Sequence, residues 1–333
     1  MRKRKKVYCI KGNNIANIIK KARRSSMCTT VAKTGDKLIF GRNMDIDESF
    51  GEELILIPRK YTLKYKMAKQ SENHFAVMGI GTVIDGYPLL AEGMNEFGLC
   101  MAGLNFVGNA RYWSPEEGRD NLAPYELIPW ILSSCKSLKD AIAKLKKVNL
   151  ISLPFKKDIP LPTLHFHIAD KQGSIVYESV KEGEKIYKNP VGVVTNNPPF
   201  DIQLTLLSNY GGLSPRAVSS ALKPYSLGLG SYGLPGDFSS GSRFARAVFA
   251  KNNTLWQAGR EIYGMMRILD LVSVPCGCVL NGEEKPHYTL YQSVMDGGEC
   301  VYYFRSYGSL DFSRVEMMGM DTEGDTLTEL DIK

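Results

Sequence analysis

The sequence predicts a layered α+β fold, on three observations. Short apolar runs separated by turn residues fill the stretch from 28 to 104. Helix-period blocks follow between 123 and 148, and again between 243 and 272. Strand-like runs return after 277. Strands, then helical blocks, then strands favour separate layers of sheet and helix over a βαβ arrangement.

Residues 28–32 and 38–41 read as two strands around Thr34-Gly35-Asp36, ordinary turn chemistry. Residues 54–57 read as another strand, ended near Pro58, and 75–80, 89–91 and 99–104 continue the pattern. Asn95-Glu96-Phe97-Gly98 is the turn before the last of these. The spacing then predicts helices over 123–134 and 137–148. Pro129 bends or starts the first. Ser137 and Asp140 fit a capping box at the second, and Leu138, Ile142, Leu145 and Val148 form its apolar stripe. Residues 164–169 and 175–177 read as a hairpin around 171–173, and 192–194 as a strand end leading to Thr195-Asn196-Asn197-Pro198-Pro199. A Gly-rich loop spans 227–241, helices are expected over 243–249 and 260–272, and strands over 277–280, 289–295, 300–303 and near 310–311.

The 333 residues suffice for one large core and contain no internal repeat or heptad run. The net charge of +7 is unevenly placed. Residues 1–26 carry ten of the 42 basic residues and no acidic one, which leaves 32 basic against 35 acidic residues beyond them. The remainder is mildly acidic, so the total is no argument for a nucleic-acid partner. No apolar run is long enough to span a bilayer. The basic start is not followed by an unbroken apolar stretch of signal-peptide type, so the cytoplasm is the default compartment.

Seven scattered cysteines do not form a disulfide framework. Cys276 and Cys278 lack the spacing of zinc ligands and read as neighbours on one strand face. Cys100 and Cys135 lie in apolar settings and read as core. His165 and His167 share a strand face at period two, with no third ligand in view. Gly228-Leu-Gly-Ser-Tyr-Gly233 resembles a dinucleotide loop but lacks the preceding strand, so it reads as a loop over a cleft. No metal or cofactor is expected.

None of the four histidines is marked as a base for a cysteine nucleophile, which ordinarily needs one. A cysteine at its own chain terminus does not. Its α-amine, with a reference pKa of about 8, can take the thiol proton and return it to the leaving amine. Cys28 follows Met27, and loss of a methionine before a small residue would expose it. Residues 1–27 are therefore expected to be a basic leader absent from the active protein, either ahead of a true start at Met27 or as a pro-segment. Residues 28–333 would form a single domain.

Met27-Cys28-Thr29-Thr30, then Phe40-Gly41-Arg42-Asn43-Met44-Asp45, resembles the opening of the choloylglycine hydrolase family, which contains bile salt hydrolases and penicillin V acylases. Asn95-Glu-Phe-Gly-Leu99, Ala102-Gly-Leu-Asn-Phe106, Val194-Thr-Asn-Asn-Pro198, Gly233-Leu-Pro-Gly-Asp-Phe238 and Ser242-Arg-Phe244 follow in order. The resemblance covers residues 27 to about 325. It implies a four-layer αββα sandwich of the N-terminal-nucleophile hydrolase type, and a homotetramer. By motif position it implies Cys28 as nucleophile, its α-amine as base and Asp45 as the carboxylate holding that amine. Arg42 would favour the thiolate, Asn105 and Asn196 would supply the oxyanion hole, and Arg243 would stand near the nucleophile.

The resemblance leaves two substrates, both amides with a large apolar acyl group: bile salts conjugated to glycine or taurine, and penicillin V. Asn105 resembles the bile salt hydrolase form, since penicillin V acylases are often aromatic there. Met44, Phe50, Leu89, Leu227, Leu229 and Leu234 are the expected lining of an apolar groove. A non-catalytic small-molecule-binding homologue is the reading from a different class.

Overall fold

The computed structural model describes residues 26–217 and 225–332. Residues 1–25 of the expected leader, Cys9 among them, lie outside the described residues. Strands β1 (Met27–Lys33), β2 (Ile39–Ile46), β13 (Val193–Val194), β14 (Val279–Leu280), β15 (Pro286–Asp296), β16 (Val301–Ser306) and β17 (Ser313–Glu316) form one sheet. Its path runs β13-β1-β2-β15-β16-β17, with β14 beside β15. A second sheet contains β3 (Glu53–Ile57), β4 (Val77–Ile84), β5 (Tyr87–Leu90), β6 (Glu92–Asn95), β7 (Cys100–Asn105), β10 (Leu164–Asp170), β11 (Gly173–Val180), β12 (Gly183–Lys188) and β18 (Thr328–Asp331). Every pairing within these two sheets is antiparallel. The short strands β8 (Asp120–Leu122) and β9 (Val148–Leu150) pair in parallel apart from both.

The helices cover the outer faces. Helices α1 (Leu127–Leu132) and α2 (Leu138–Leu145) share an apolar core with the second sheet, through Ile128, Ile131 and Leu145 against Met101, Phe166 and Ile168. Helix α3 (Phe200–Leu207) follows β13, and α4 (Ser240–Asn253) and α5 (Glu261–Leu271) cover the first sheet. The result is an αββα sandwich. Strands β1 and β2 are buried on both faces, as inner layers must be. Gly41 on β2 shows how closely α5 sits, since a Cβ there would lie 2.7 Å from Met265 Cγ.

Local chemistry accounts for the turns. Gly35 takes a φ of +118° between β1 and β2. Gly98 takes +76°, and a side chain there would strike the Gly297 carbonyl at 2.0 Å. Both helical expectations in the 123–148 region shorten. The first becomes a 3₁₀ turn (Pro124–Glu126) followed by α1, with Pro129 tolerated in its first turn. The second ends at Leu145, and Val148 belongs to β9. Ser137 Oγ accepts from Asp140 N at 3.2 Å as expected, but Asp140 accepts from Lys136 N, not from the Ser137 amide. Cys276 and Cys278 do not share a strand face. They are exposed in the turn before β14.

Candidate active site

Period-two alternation sorts the residues around Cys28. Thr30 on β1 reaches His167 of the second sheet at 2.9 Å, so the face carrying Cys28 and Thr30 looks into the space between the sheets. Register pairs Cys28 with Met44 and Thr30 with Arg42, which puts Arg42 and Met44 on that same face. Asp45 and Asn43 point the other way, toward the helices, where Asn43 Nδ2 donates to Leu269 O at 2.8 Å.

Arg42 is 1% exposed, and both of its Nη groups are hydrogen-bonded. Its Nη2 lies 3.3 Å from Cys28 Sγ and donates to Gly103 O at 2.9 Å, and Nη1 donates to Ala91 O at 2.6 Å. Its Nε lies 3.0 Å from Glu92 Oε2, an ion pair whose N–H is not aligned for a hydrogen bond. Burial works against this charge, but a Cys28 thiolate and the Glu92 carboxylate offset it and hold Arg42 cationic. Sγ also contacts Met44 Sδ at 3.8 Å.

On the helix side, Arg243 comes from the first turns of α4, whose N-cap is Ser239. It is wholly buried. Its Nη1 donates to Cys28 O at 2.5 Å and Thr29 Oγ1 at 2.6 Å, and its Nη2 to Asn196 Oδ1 at 2.7 Å. That same Oδ1 accepts from Cys28 N at 2.8 Å. Asn196 Nδ2 donates to Asn105 O at 2.9 Å, so both asparagines meet beside the nucleophile. Asp45 Oδ1 accepts from Thr289 Oγ1 at 2.6 Å. Its Oδ2 lies 3.8 Å from Arg243 Nη1 and has no hydrogen-bond partner among the described residues. Burial pushes the Asp45 carboxyl up to about 6, against the pull of Arg243, Thr289 and Arg42.

The thiol opens on a cavity of about 250 Å³. Met44, Phe50 and Leu89 line it, together with Phe155, Ile159 and Pro160 from the segment before β10. Leu227, Leu229 and Leu234 are not part of its wall. Leu227 is 99% exposed, and Leu229 sits in a separate 3₁₀ turn (Leu229–Ser231). Proximity to a glycine-rich stretch was their only signal. Ser26 does line the cavity, and its carbonyl accepts from Asn105 Nδ2 at 3.3 Å.

Sequence reasoning did not find Glu92, Thr289 or the 155–160 wall. Their contacts join segments far apart in the chain, and no local pattern marks them. His165 and His167 are buried in hydrogen bonds to Glu178, Thr195 O and Thr30. Among the described residues no group of three or more His, Cys, Asp or Glu side chains could hold a metal ion, and no helix is long and apolar enough to cross a membrane.

Residues 28–329 match the profile of linear amide C–N hydrolases, choloylglycine hydrolase family. The chain is 41% identical over 312 residues to the bile salt hydrolase/transferase of Lactiplantibacillus plantarum, covering 91% of this chain and 95% of that protein. The solved structure of a conjugated bile acid hydrolase variant from Clostridium perfringens superposes with a TM-score of 0.86 at 33% identity, over 92% of this chain and 97% of that one. A penicillin V acylase from Agrobacterium tumefaciens, 22% identical over 91% of each chain, shares the fold with a TM-score of 0.74. The chain belongs to the choloylglycine hydrolase family of linear amide C–N hydrolases.

Proposed function

We propose that this chain hydrolyses the amide bond of bile salts conjugated to glycine or taurine, with Cys28 as an N-terminal nucleophile. The observation that carries the reading is a thiol on the wall of an apolar cavity, 3.3 Å from a buried arginine. Sγ attacks the amide carbon, and its proton passes to the Cys28 α-amine. Amide groups of Asn105 and Asn196 donate to the carbonyl oxygen as charge builds there. The ammonium returns the proton to the glycine or taurine nitrogen, the C–N bond breaks and a thioester remains. Water attacks the thioester with the amine again as base, which releases the bile acid and restores the thiol. Asp45 holds the amine, Arg42 favours the thiolate and Arg243 holds Asn196.

The α-amine is a base only when no residue precedes Cys28. Residues 1–27 are thus absent from the active protein, and residues 28–333 act as one domain. The Ser26 carbonyl on Asn105 Nδ2 supports this, because it occupies a donor that the oxyanion needs. Removing Ser26 also enlarges a cavity that is now just under the usual range of about 300–1,000 Å³ for a ligand of this size. We extend the proposal to a homotetramer, as the family resemblance implies, and to the cytoplasm as its compartment.

A substrate panel tests the reading: glycocholate, taurocholate and penicillin V, with amine release followed for the protein beginning at Cys28. Release of glycine or taurine, lost in Cys28→Ala, is expected. Faster cleavage of penicillin V would move the chain to the acylase reading. No release from any of the three would leave a binding homologue.

A further inference from the structure

Arg42 reaches the nucleophile from one side and a buried carboxylate from the other. Glu92, on β6 of the second sheet, is 0% exposed. Its Oε1 accepts from Tyr302 OH at 2.7 Å and from the Ser293 hydroxyl, both on the first sheet. Ser293 lies directly across from Arg42 in the β2–β15 register. Oε2 faces Arg42 Nε at 3.0 Å, while the neighbouring Ala91 carbonyl takes Arg42 Nη1. Residues 91 and 92 therefore grip one edge of the guanidinium and leave Nη2 for Gly103 O and Cys28 Sγ.

We infer that Glu92 is a positioning residue for the nucleophile: it fixes the Arg42 guanidinium against Cys28 and sets how strongly Arg42 stabilises the thiolate. The inference rests on the reading of Cys28 as nucleophile. An ion pair buried between two sheets is costly to desolvate and a poor way to gain stability alone. Here its cationic member is the one that touches Sγ. Glu92 and a thiolate compete for the same positive charge, so the carboxylate takes a share of the stabilisation that Arg42 offers the sulfur.

The groups around this stack are few. Arg42, Tyr291, Tyr302 and Cys100 face Glu92, and Arg42, Tyr291 and Arg243 face Cys28. Asp45, on the other face of β2, lies 3.8 Å from Arg243 and feels the Arg42 charge only through the strand. Burial pushes the two tyrosine hydroxyls and the Cys100 thiol well above their ordinary values, so they stay neutral. Among the described residues, the charges left around the thiolate are Arg42, Arg243, Asp45 and Glu92.

The test is the pH dependence of Cys28 alkylation by iodoacetamide in the full chain. It is read on the Cys28 peptide by mass spectrometry, because the exposed Cys276 and Cys278 also react. Glu92→Gln keeps the shape and removes the charge. Its alkylation midpoint should fall by about one pH unit, a tenfold rate gain below the wild-type midpoint. Glu92→Asp, which keeps the charge but draws it back from Arg42, should give a smaller fall and decides the matter if Glu92→Gln does not fold. A midpoint that stays or rises while thermal stability drops would overturn the inference and leave Glu92 as a structural ion pair. The readout needs no substrate. Failure of the bile salt reading would appear as an absence of amine release from the protein beginning at Cys28, with the alkylation shift in the full chain intact.

Discussion

Asp45 offers a prediction with a sign and a size. In the chain with Ser26 and Met27 still attached, its carboxyl is held at about 6, against an ordinary value of 3.8, chiefly by burial. The folded chain therefore binds this proton more tightly than the unfolded chain does. Between about pH 4 and pH 6 the unfolded form loses it first, so stability falls as pH rises through that window and the full penalty is present above it. Two pKa units at 1.36 kcal/mol each make the ionised carboxylate cost about 3 kcal/mol. Asp45→Asn mimics the protonated form, keeps an oxygen for Thr289 Oγ1 and leaves Arg243 at the same distance. It should stabilise the full chain by about 3 kcal/mol at pH 7.5 and by little at pH 4. In the protein beginning at Cys28, the new ammonium becomes a partner for the orphaned Oδ2, and the gain should shrink while turnover is lost. Urea unfolding of both variants at the two pH values measures this. Equal stability effects at pH 4 and 7.5 would refute the claim that Thr289 and Arg243 compensate ionised Asp45 only in part while the amine is absent.

Cys28→Ala should abolish amine release and leave the far-ultraviolet circular dichroism spectrum unchanged, and Cys28→Ser should retain only weak activity, as a hydroxyl is the poorer nucleophile. Asn196→Ala should cost about 3 kcal/mol of transition-state stabilisation, roughly a hundredfold in kcat, with a smaller change in KM. A KM effect alone would contradict its role as a donor. Phe50→Ala should raise KM for conjugated bile salts several-fold, while Leu227→Ser, outside the cavity wall, should not. Steady-state kinetics on glycocholate separate the two.

Much of the nucleophile's surroundings could be read in the sequence through the ordered motifs of the family resemblance, and short-range rules explain the geometry of the part that lies on β1 and β2. The Thr34-Gly35-Asp36 turn fixes the hairpin of β1 and β2, and strand period two then sends Arg42 and Met44 to the thiol's face and Asp45 to the other. Glu92 was not legible. Ala91-Glu92-Gly93 reads as an ordinary strand junction, and its partners Ser293 and Tyr302 stand 201 and 210 residues away. The cavity wall at Phe155, Ile159 and Pro160 has no periodicity to announce it. Leu227 and Leu234 misled because apolar residues in a glycine-rich loop say nothing about which way the loop faces. Val148 continued a helical stripe in spacing, yet strand pairing with Asp120 decided its state.

The central claim is a covalent acyl-enzyme on a cysteine that owns its α-amine. Mixing active protein with glycocholate, quenching in acid within milliseconds and measuring intact mass tests both halves at once. The predicted species begins at Cys28 and carries one cholyl group on that residue, an adduct absent from Cys28→Ala. An active species that retains residues 1–27, or an acyl group on any other side chain, would contradict it.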